Sequence, residues 1–267
     1  MRVFTKVLAL LVIVLLMSSQ AHAKKLDQNV DTLIELGKQV SNAGSMLSNY
    51  VAIGTKIKFK DPIGRLKGNI EEYDSTLNLL NERYSDDATI QKSLKNSRIS
   101  WKLIKDKLLS ATVEPDSKTM KKEALFVYGN IHNIIAEMEL MKEHLLKSAT
   151  SIESVALDSA IGVSTSSHNL LMIYMMQMWG LSDATTTKDW DISVERYKKS
   201  IAVLQKSPFY KDLEFKGWLD RTETILEYII MSFSMIDSNA TPSMMYNKCK
   251  DTDENANKMA LKIVATK

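Results

Sequence analysis

The chain has a single cysteine, Cys249, among 267 residues. An internal disulfide framework is therefore excluded, and so is a C-x-x-C redox or metal motif. Four prolines and nine glycines are little turn chemistry for this length. No stretch alternates apolar and polar residues as a half-buried strand does. An excess of one charge is missing as well: 35 Lys and Arg stand against 32 Asp and Glu, for a net +3. So small a surplus predicts no basic patch and no nucleic-acid footprint. There is no glycine-rich phosphate loop, no H-E-x-x-H and no nucleophile elbow. An enzyme is not expected, nor is a cofactor.

Long apolar runs are scarce too. The first, Val7 to Met17, follows Arg2 and Lys6 and precedes Ser18-Ser-Gln-Ala-His-Ala23. A charged start, a short apolar core and a small-x-small ending describe a cleaved secretory signal over 1–23, hence a periplasmic or secreted protein. The core is well short of the ~20 residues a spanning helix needs. Leu170 to Trp179 and Ile225 to Ile236 are also too short, so no membrane span is expected in the mature chain.

What the chain does have is apolar residues at alternating gaps of three and four. One run is Leu26, Val30, Leu33, Gly37, Val40, Gly44, Leu47, Val51. Others pass through Ile63–Tyr84, Ile90–Leu108, Ala124–Leu145, Trp190–Leu204 and Leu219–Ile236. This is the seam of helices lying nearly parallel in a bundle. Asp61-Pro62, Asp86-Asp87, Asp116-Ser117 and Thr241-Pro242 read as helix starts. Residues 112–117 and 181–189 read as loops. Between Asp116 and Gly180 breakers are few, which predicts one long helix or two stacked ones meeting near Ser148–Ser151.

One pattern occurs twice. A small, hydroxyl-rich patch runs into an apolar helix ending at glycine, first at Val40–Gly54 and again at Gly162–Gly180. A helix headed by tyrosine follows each, with Tyr73, Leu77 and Leu80 in the first copy and Tyr197, Ile201 and Leu204 in the second, an offset of 124. A repeat this long is a duplicated unit. The fold expected is all-α: tandem antiparallel four-helix-bundle-like units over 24–148 and 149–267, joined by a long helix. Ser48 and Ser167 are expected to occupy matching places in the two motif helices.

Ala43-Gly44-Ser45-Met46-Leu47-Ser48-Asn49 resembles a family motif close to A-G-R-Q-R-M-L-S-Q-R-M-A-K, without its R-Q-R core. Ser167-His168-Asn169 falls where S-Q-R would stand in the second copy. The family is the PilJ-like N-terminal sensory domain of type IV pili methyl-accepting chemotaxis transducers, shared with nitrate/nitrite sensor kinases. The resemblance implies a helical sensing bundle in two degenerate copies. In the nitrate sensors an arginine of this motif holds the anion; here no arginine occurs between Lys25 and Asp61 or between Lys147 and Lys188. Nitrate binding therefore does not carry over.

The patches supply candidate ligand-binding residues: Asn42, Ser45, Ser48 and Asn49, then Ser164, Ser167, His168 and Asn169, with Ser41, Thr165 and Ser166 between them. Hydroxyls clustered in mid-helix need a reason. Either they hydrogen-bond a small polar ligand, or their small size lets helices approach. His168, Met172 and Met176 recur at i, i+4 and i+8; imidazole and thioethers suit copper(I) or haem iron, and the same spacing suits core packing. His132 and His144 read as surface residues. Two functions stay open. One is a periplasmic sensing or binding module that takes a small ligand or docks on a membrane receptor. The other is a non-catalytic structural or adaptor protein that binds another envelope protein through its helix faces. Intact-mass analysis of the exported protein should show a mature chain beginning at Lys24; a full-length, membrane-bound form would refute the signal.

Overall fold

The computed structural model describes residues 29–57, 60–147, 151–236 and 242–265. The expected signal at 1–23 and the cap residue Thr241 lie outside the described residues. Eight helices and no strand occur among the described residues. They are α1 (29–54), α2 (Pro62–Arg83), α3 (Ala88–Val113), α4 (Ser117–Lys147), α5 (Ile152–Met178), α6 (Ala184–Lys206), α7 (Leu213–Ser234) and α8 (Pro242–Val264). A 3-10 turn, Pro208–Lys211, precedes α7. None of these helices is long and apolar enough to cross a membrane.

The starts follow local chemistry. Asp61 caps α2 through the Gly64 N–H, with Pro62 in the first turn, where no N–H is missed. Asp87 accepts from the N–H groups of Thr89 and Ile90, and Asp116 from those of Lys118 and Thr119. The expected loop 181–189 is shorter than its composition suggests. Asp183 and Thr186 form a reciprocal capping box, so α6 begins at Ala184. Of the two alternatives across 116–180, one long helix or two meeting near Ser148–Ser151, the structure has two, α4 and α5. Ser151 lies in extended backbone (φ −77°, ψ 159°) and accepts from the Ser154 N–H, which starts α5 anew.

Contacts between chain neighbours run in opposite directions. Thr32, Gln39 and Asn49 of α1 meet Arg83, Thr76 and Arg65 of α2. Asp74 of α2 meets Trp101 and Lys105 of α3, and Lys107 of α3 pairs with Glu123 of α4. In the second half, Gly162 of α5 lies against Ser200 of α6, and Tyr197 of α6 donates to the Thr222 carbonyl of α7. The sequence seams are the core: Leu66, Ile70, Tyr73, Ile90, Trp101, Ile104, Val127, Ile131, Ile134, Tyr197, Ile201 and Leu204 are all buried. Most helices bury one face. From Gln39 to Gly54 of α1 and from Ser159 to Met176 of α5, nearly every residue is buried. A helix enclosed on all sides is a central helix, and these two are neighbours.

Across the halves, α4 is tied to α5 and α6 by charge. The Lys142 ammonium, 3% exposed, sits 2.8 Å from Glu139 and 2.9 Å from Asp158, and Arg196 reaches Glu139 at 2.5 Å. Burial works to raise the Glu139 pKa, but Lys142 and Arg196 outweigh it and hold the carboxyl below its ordinary value. Taking one partner from such a cluster strands a charge and costs about 3 kcal/mol. Lys142→Met should lower stability by that order in chemical denaturation. The unfolded Glu139 value is about 4.3. Its contribution is therefore present above that pH and lost as pH falls through the depressed folded value. Wild-type stability should decline below about pH 4.3, and less steeply in Lys142→Met; equal slopes would show that the cluster does not carry the acid sensitivity.

Candidate functional site

The candidate residues lie on α1 and α5, and the structure divides them between two seams. One seam joins α1 to α5. A Cβ on Gly37 would stand 2.5 Å from Ile161 Cγ2, and one on Gly44 3.3 Å from the Cβ and carbonyl oxygen of His168. Gly54 lies against the Trp179 ring. Ser41 Oγ is 3.0 Å from Ser164 Oγ, and Ser45 Oγ 3.1 Å from His168 Nδ1. These partners differ in number by 123 to 125. Motif helices α1 and α5 therefore run parallel, at the offset of the sequence repeat. That register corrects the expected pairing of the serines. Ser48 stands opposite the Met172 level and Ser167 opposite the Ala43 level, so the two do not match. Ser48 donates to its own Gly44 carbonyl and Ser167 to Ser164.

The second seam joins α1 to α2 and takes Asn42 and Asn49. Asn42 Nδ2 donates to the Asn69 carbonyl at 3.0 Å, while Asn69 Nδ2 donates back to Asn42 Oδ1. Asn49 Nδ2 donates to Asn69 Oδ1 at 3.1 Å, and Asn49 Oδ1 accepts from Arg65 Nε and Nη2 at 3.0 and 2.9 Å. An arginine thus reaches α1 from the neighbouring helix, where its guanidinium lies 4.4 Å from the centre of the Tyr246 ring. Neither Asn69 nor Arg65 was legible as a partner. Both sit in the first turns of α2, outside the repeated motif, and only the antiparallel crossing brings them to Asn49.

On the first seam α8 adds a residue that the motifs did not announce. Asp253 accepts from Ser164 Oγ and lies 3.8 Å from His168 Nε2. Because the Ser164 proton goes to Asp253, Ser41 is the donor to Ser164. Burial works to raise the Asp253 pKa; the imidazole of His168, the Ser164 hydroxyl and the charge of Lys38 together hold it below the ordinary carboxylate value. At 3.8 Å the His168–Asp253 contact is longer than a hydrogen bond.

A hydroxyl, an imidazole and a carboxylate in line invite comparison with a nucleophilic triad. Acyl transfer also needs N–H donors aimed at a developing oxyanion. Ser45 stands in mid-helix, where peptide N–H groups are engaged within the helix. The opening beside Ser164 and Asp253, lined also by Gly37, Lys38 and Ile161, holds about 20 Å³. That is room for one water, far below the ~300 Å³ of a typical ligand pocket. Thr165 turns its hydroxyl to the Gly162 carbonyl. Ser166 Oγ, Asn169 Oδ1 and His168 Nε2 are buried without a hydrogen-bond partner. Met172 and Met176 are fully buried in the core, and Asn169 is buried beside them on α5.

His132 and His144 are half-buried rather than on the open surface. His144 Nε2 is 2.9 Å from Asp87. The His132 ring lies 4.3 Å from the Tyr128 ring, tilted by 44°, and the Tyr128 hydroxyl donates to Asp189 at 2.6 Å. Burial lowers the His132 pKa against the pull of Asp189. Trp190 stacks on Phe233 at 3.6 Å, as a core residue does.

The glycines of the seam separate approach from mere tolerance. Ile161 is β-branched, stiff at χ1 and 7% exposed, so it has little freedom to yield to a Cβ on Gly37. Gly37→Ala should destabilise by about 1–3 kcal/mol despite its better helix propensity. Gly129 of α4 has open space where a Cβ would stand. Gly129→Ala should stabilise by about 0.5–1 kcal/mol. Equal shifts in melting temperature for the two variants would contradict the close α1–α5 approach.

Comparison with known protein families, curated proteins and solved structures finds no match to this chain.

Proposed function

We propose that the protein is a non-catalytic helical binding module of the bacterial envelope, made of two sensor-like four-helix units over 24–148 and 149–267. In this reading it works by presenting helix faces to an envelope partner. The PilJ-like resemblance supplies the kinship and the signal at 1–23 the location. The carrying observation is the parallel α1–α5 pair at the repeat offset, with its hydroxyls spent on each other. Ser41, Ser45, Ser48, Ser164 and Ser167 all have partners within the protein. A receptor site for a small polar molecule would leave such groups facing a void. Support for tandem units comes from the antiparallel order of α1 to α4 and of α5 to α8, and from Tyr73 and Tyr197, both fully buried.

A second reading keeps the small ligand, and a specific observation favours it. Ser166 Oγ and Asn169 Oδ1 are buried without a hydrogen-bond partner, and His168 Nε2 between them has only the 3.8 Å contact with Asp253. Buried polar atoms need partners, ordered water among them. Thermal melting across a panel of small polar compounds decides between the readings. A ligand at 100-fold over its dissociation constant stabilises by about 2.7 kcal/mol. The expected result is no shift from any compound. A shift that Asn169→Leu abolishes would move the function to the seam and sink the first reading.

A further inference from the structure

The small net charge of the chain conceals a strong local imbalance. Helix α3 carries six basic residues, Lys92, Lys95, Arg98, Lys102, Lys105 and Lys107, and one acid, Asp106. Lys105 and Lys107 are neutralised by Asp74 and Glu123. Lys92, Lys95, Arg98 and Lys102 are exposed and have no acidic partner among the described residues. The expectation of no basic patch is thereby corrected: α3 carries a local surplus of cations that acids elsewhere in the chain offset. The corresponding helix of the second half, α7, has two basic and four acidic residues, so the feature belongs to one copy alone.

The same outward face carries aliphatic side chains. Ile99 is 55% exposed, Leu103 52% and Val113 73%. At 100° per residue, Lys92, Lys95, Ile99, Lys102 and Leu103 fall within about a third of the helix circumference. Beside Ile99, a hollow of about 370 Å³ opens between α2 and α3, lined by Asn81, Gln91, Lys95, Arg98, Ile99 and Lys102. Arg98 is braced there by donating to the Leu77 carbonyl and to Asn78 Oδ1.

Cations alone would suit any polyanion. Exposed aliphatics among them suit a surface that is anionic outside and hydrocarbon just beneath. We infer that the outward face of α3 docks peripherally on an anionic lipid bilayer, with Lys95, Arg98 and Lys102 around a headgroup phosphate at the hollow and Ile99 and Leu103 pressed into the headgroup–acyl boundary. This goes beyond the binding-module reading and can fail without it, because a protein partner can use other helix faces.

The test is co-sedimentation of the mature protein with phosphatidylcholine vesicles, with and without phosphatidylglycerol. Binding is expected only with phosphatidylglycerol and should be released by salt. Each lysine near an anionic surface is worth about 1 kcal/mol, or roughly fivefold in partitioning. Lys95→Gln with Lys102→Gln should therefore weaken partitioning about 25-fold. Ile99→Ser with Leu103→Ser should also weaken it, at unchanged melting temperature, since these side chains are exposed. Free glycerol phosphate, added as competitor, should displace little of the bound protein, because it offers no apolar boundary. Three results would overturn the inference: no binding at low salt, equal binding to neutral vesicles, or wild-type partitioning by the lysine double variant. The first would leave an acidic protein surface as the occupant of this face.

Discussion

The close approach of α1 and α5 is the constraint to which the other helices conform. Glycine at 37, 44 and 54 lets a side chain of α5 lie against the backbone of α1. Once two helices touch this closely in the middle of a bundle, each is enclosed on every side. Every residue on them must then be apolar, small, or hydrogen-bonded to a neighbour. A hydroxyl buried without a partner costs about 1–3 kcal/mol, which is why Ser41, Ser164 and Asp253 form a chain across three helices. The hydroxyl-rich composition of both motif helices follows from enclosure, whatever else the seam does.

Most of the helical frame was legible from periodicity. The seams through α2, α3, α4 and α6 are buried as read except at Ile63, which is half-buried at the start of α2, because each helix has one neighbour-facing stripe and an exposed back. The helix starts at Asp61, Asp87 and Asp116 were legible for a different reason: a cap is a local event, complete within four residues. The break between α4 and α5 was legible in place but not in kind, because Ser151 is compatible with a continuous helix or a new start. The failed reading is of the opposite, non-local sort. The pairing of Ser48 with Ser167 used similarity of type where register was needed, and register is set by Gly37, Gly44 and Gly54 together.

The site was legible only in part. That Asn42 stands near Ser45, and Ser164 near His168, followed from their clustering in sequence; that the two patches meet, Ser41 with Ser164 and Ser45 with His168, did not. That Asn42 and Asn49 turn to α2 while Ser41 and Ser45 turn to α5 depends on helix phase, which a patch buried all round does not reveal. Asp253 and Arg65 were invisible because each stands alone in a charged, otherwise solvated stretch of its own helix. Only the antiparallel crossings of α8 on α5 and of α2 on α1 carry them inward.

The pattern that occurs twice in the sequence is matched in the structure at packed positions and not at polar ones. Tyr73 and Tyr197 remain fully buried at the repeat offset, because an aromatic of that volume cannot be replaced without a cavity or a clash. Polar and charged positions obey no such restraint. On the α1–α2 seam the first half uses amides and an arginine, whereas Gly162 and Ser200 meet at the corresponding crossing of α5 and α6. The charge cluster of Glu139, Lys142, Asp158 and Arg196 ties α4 to the second half. Its repeat counterparts, one offset away, include Ile34 and Glu72, which cannot rebuild it. Helices α3 and α7 have drifted furthest in charge, to opposite signs. Packing restrains the buried tyrosines at the repeat offset, whereas the exposed faces of α3 and α7 are restrained only by solvent and so can carry opposite charge within one helical bundle.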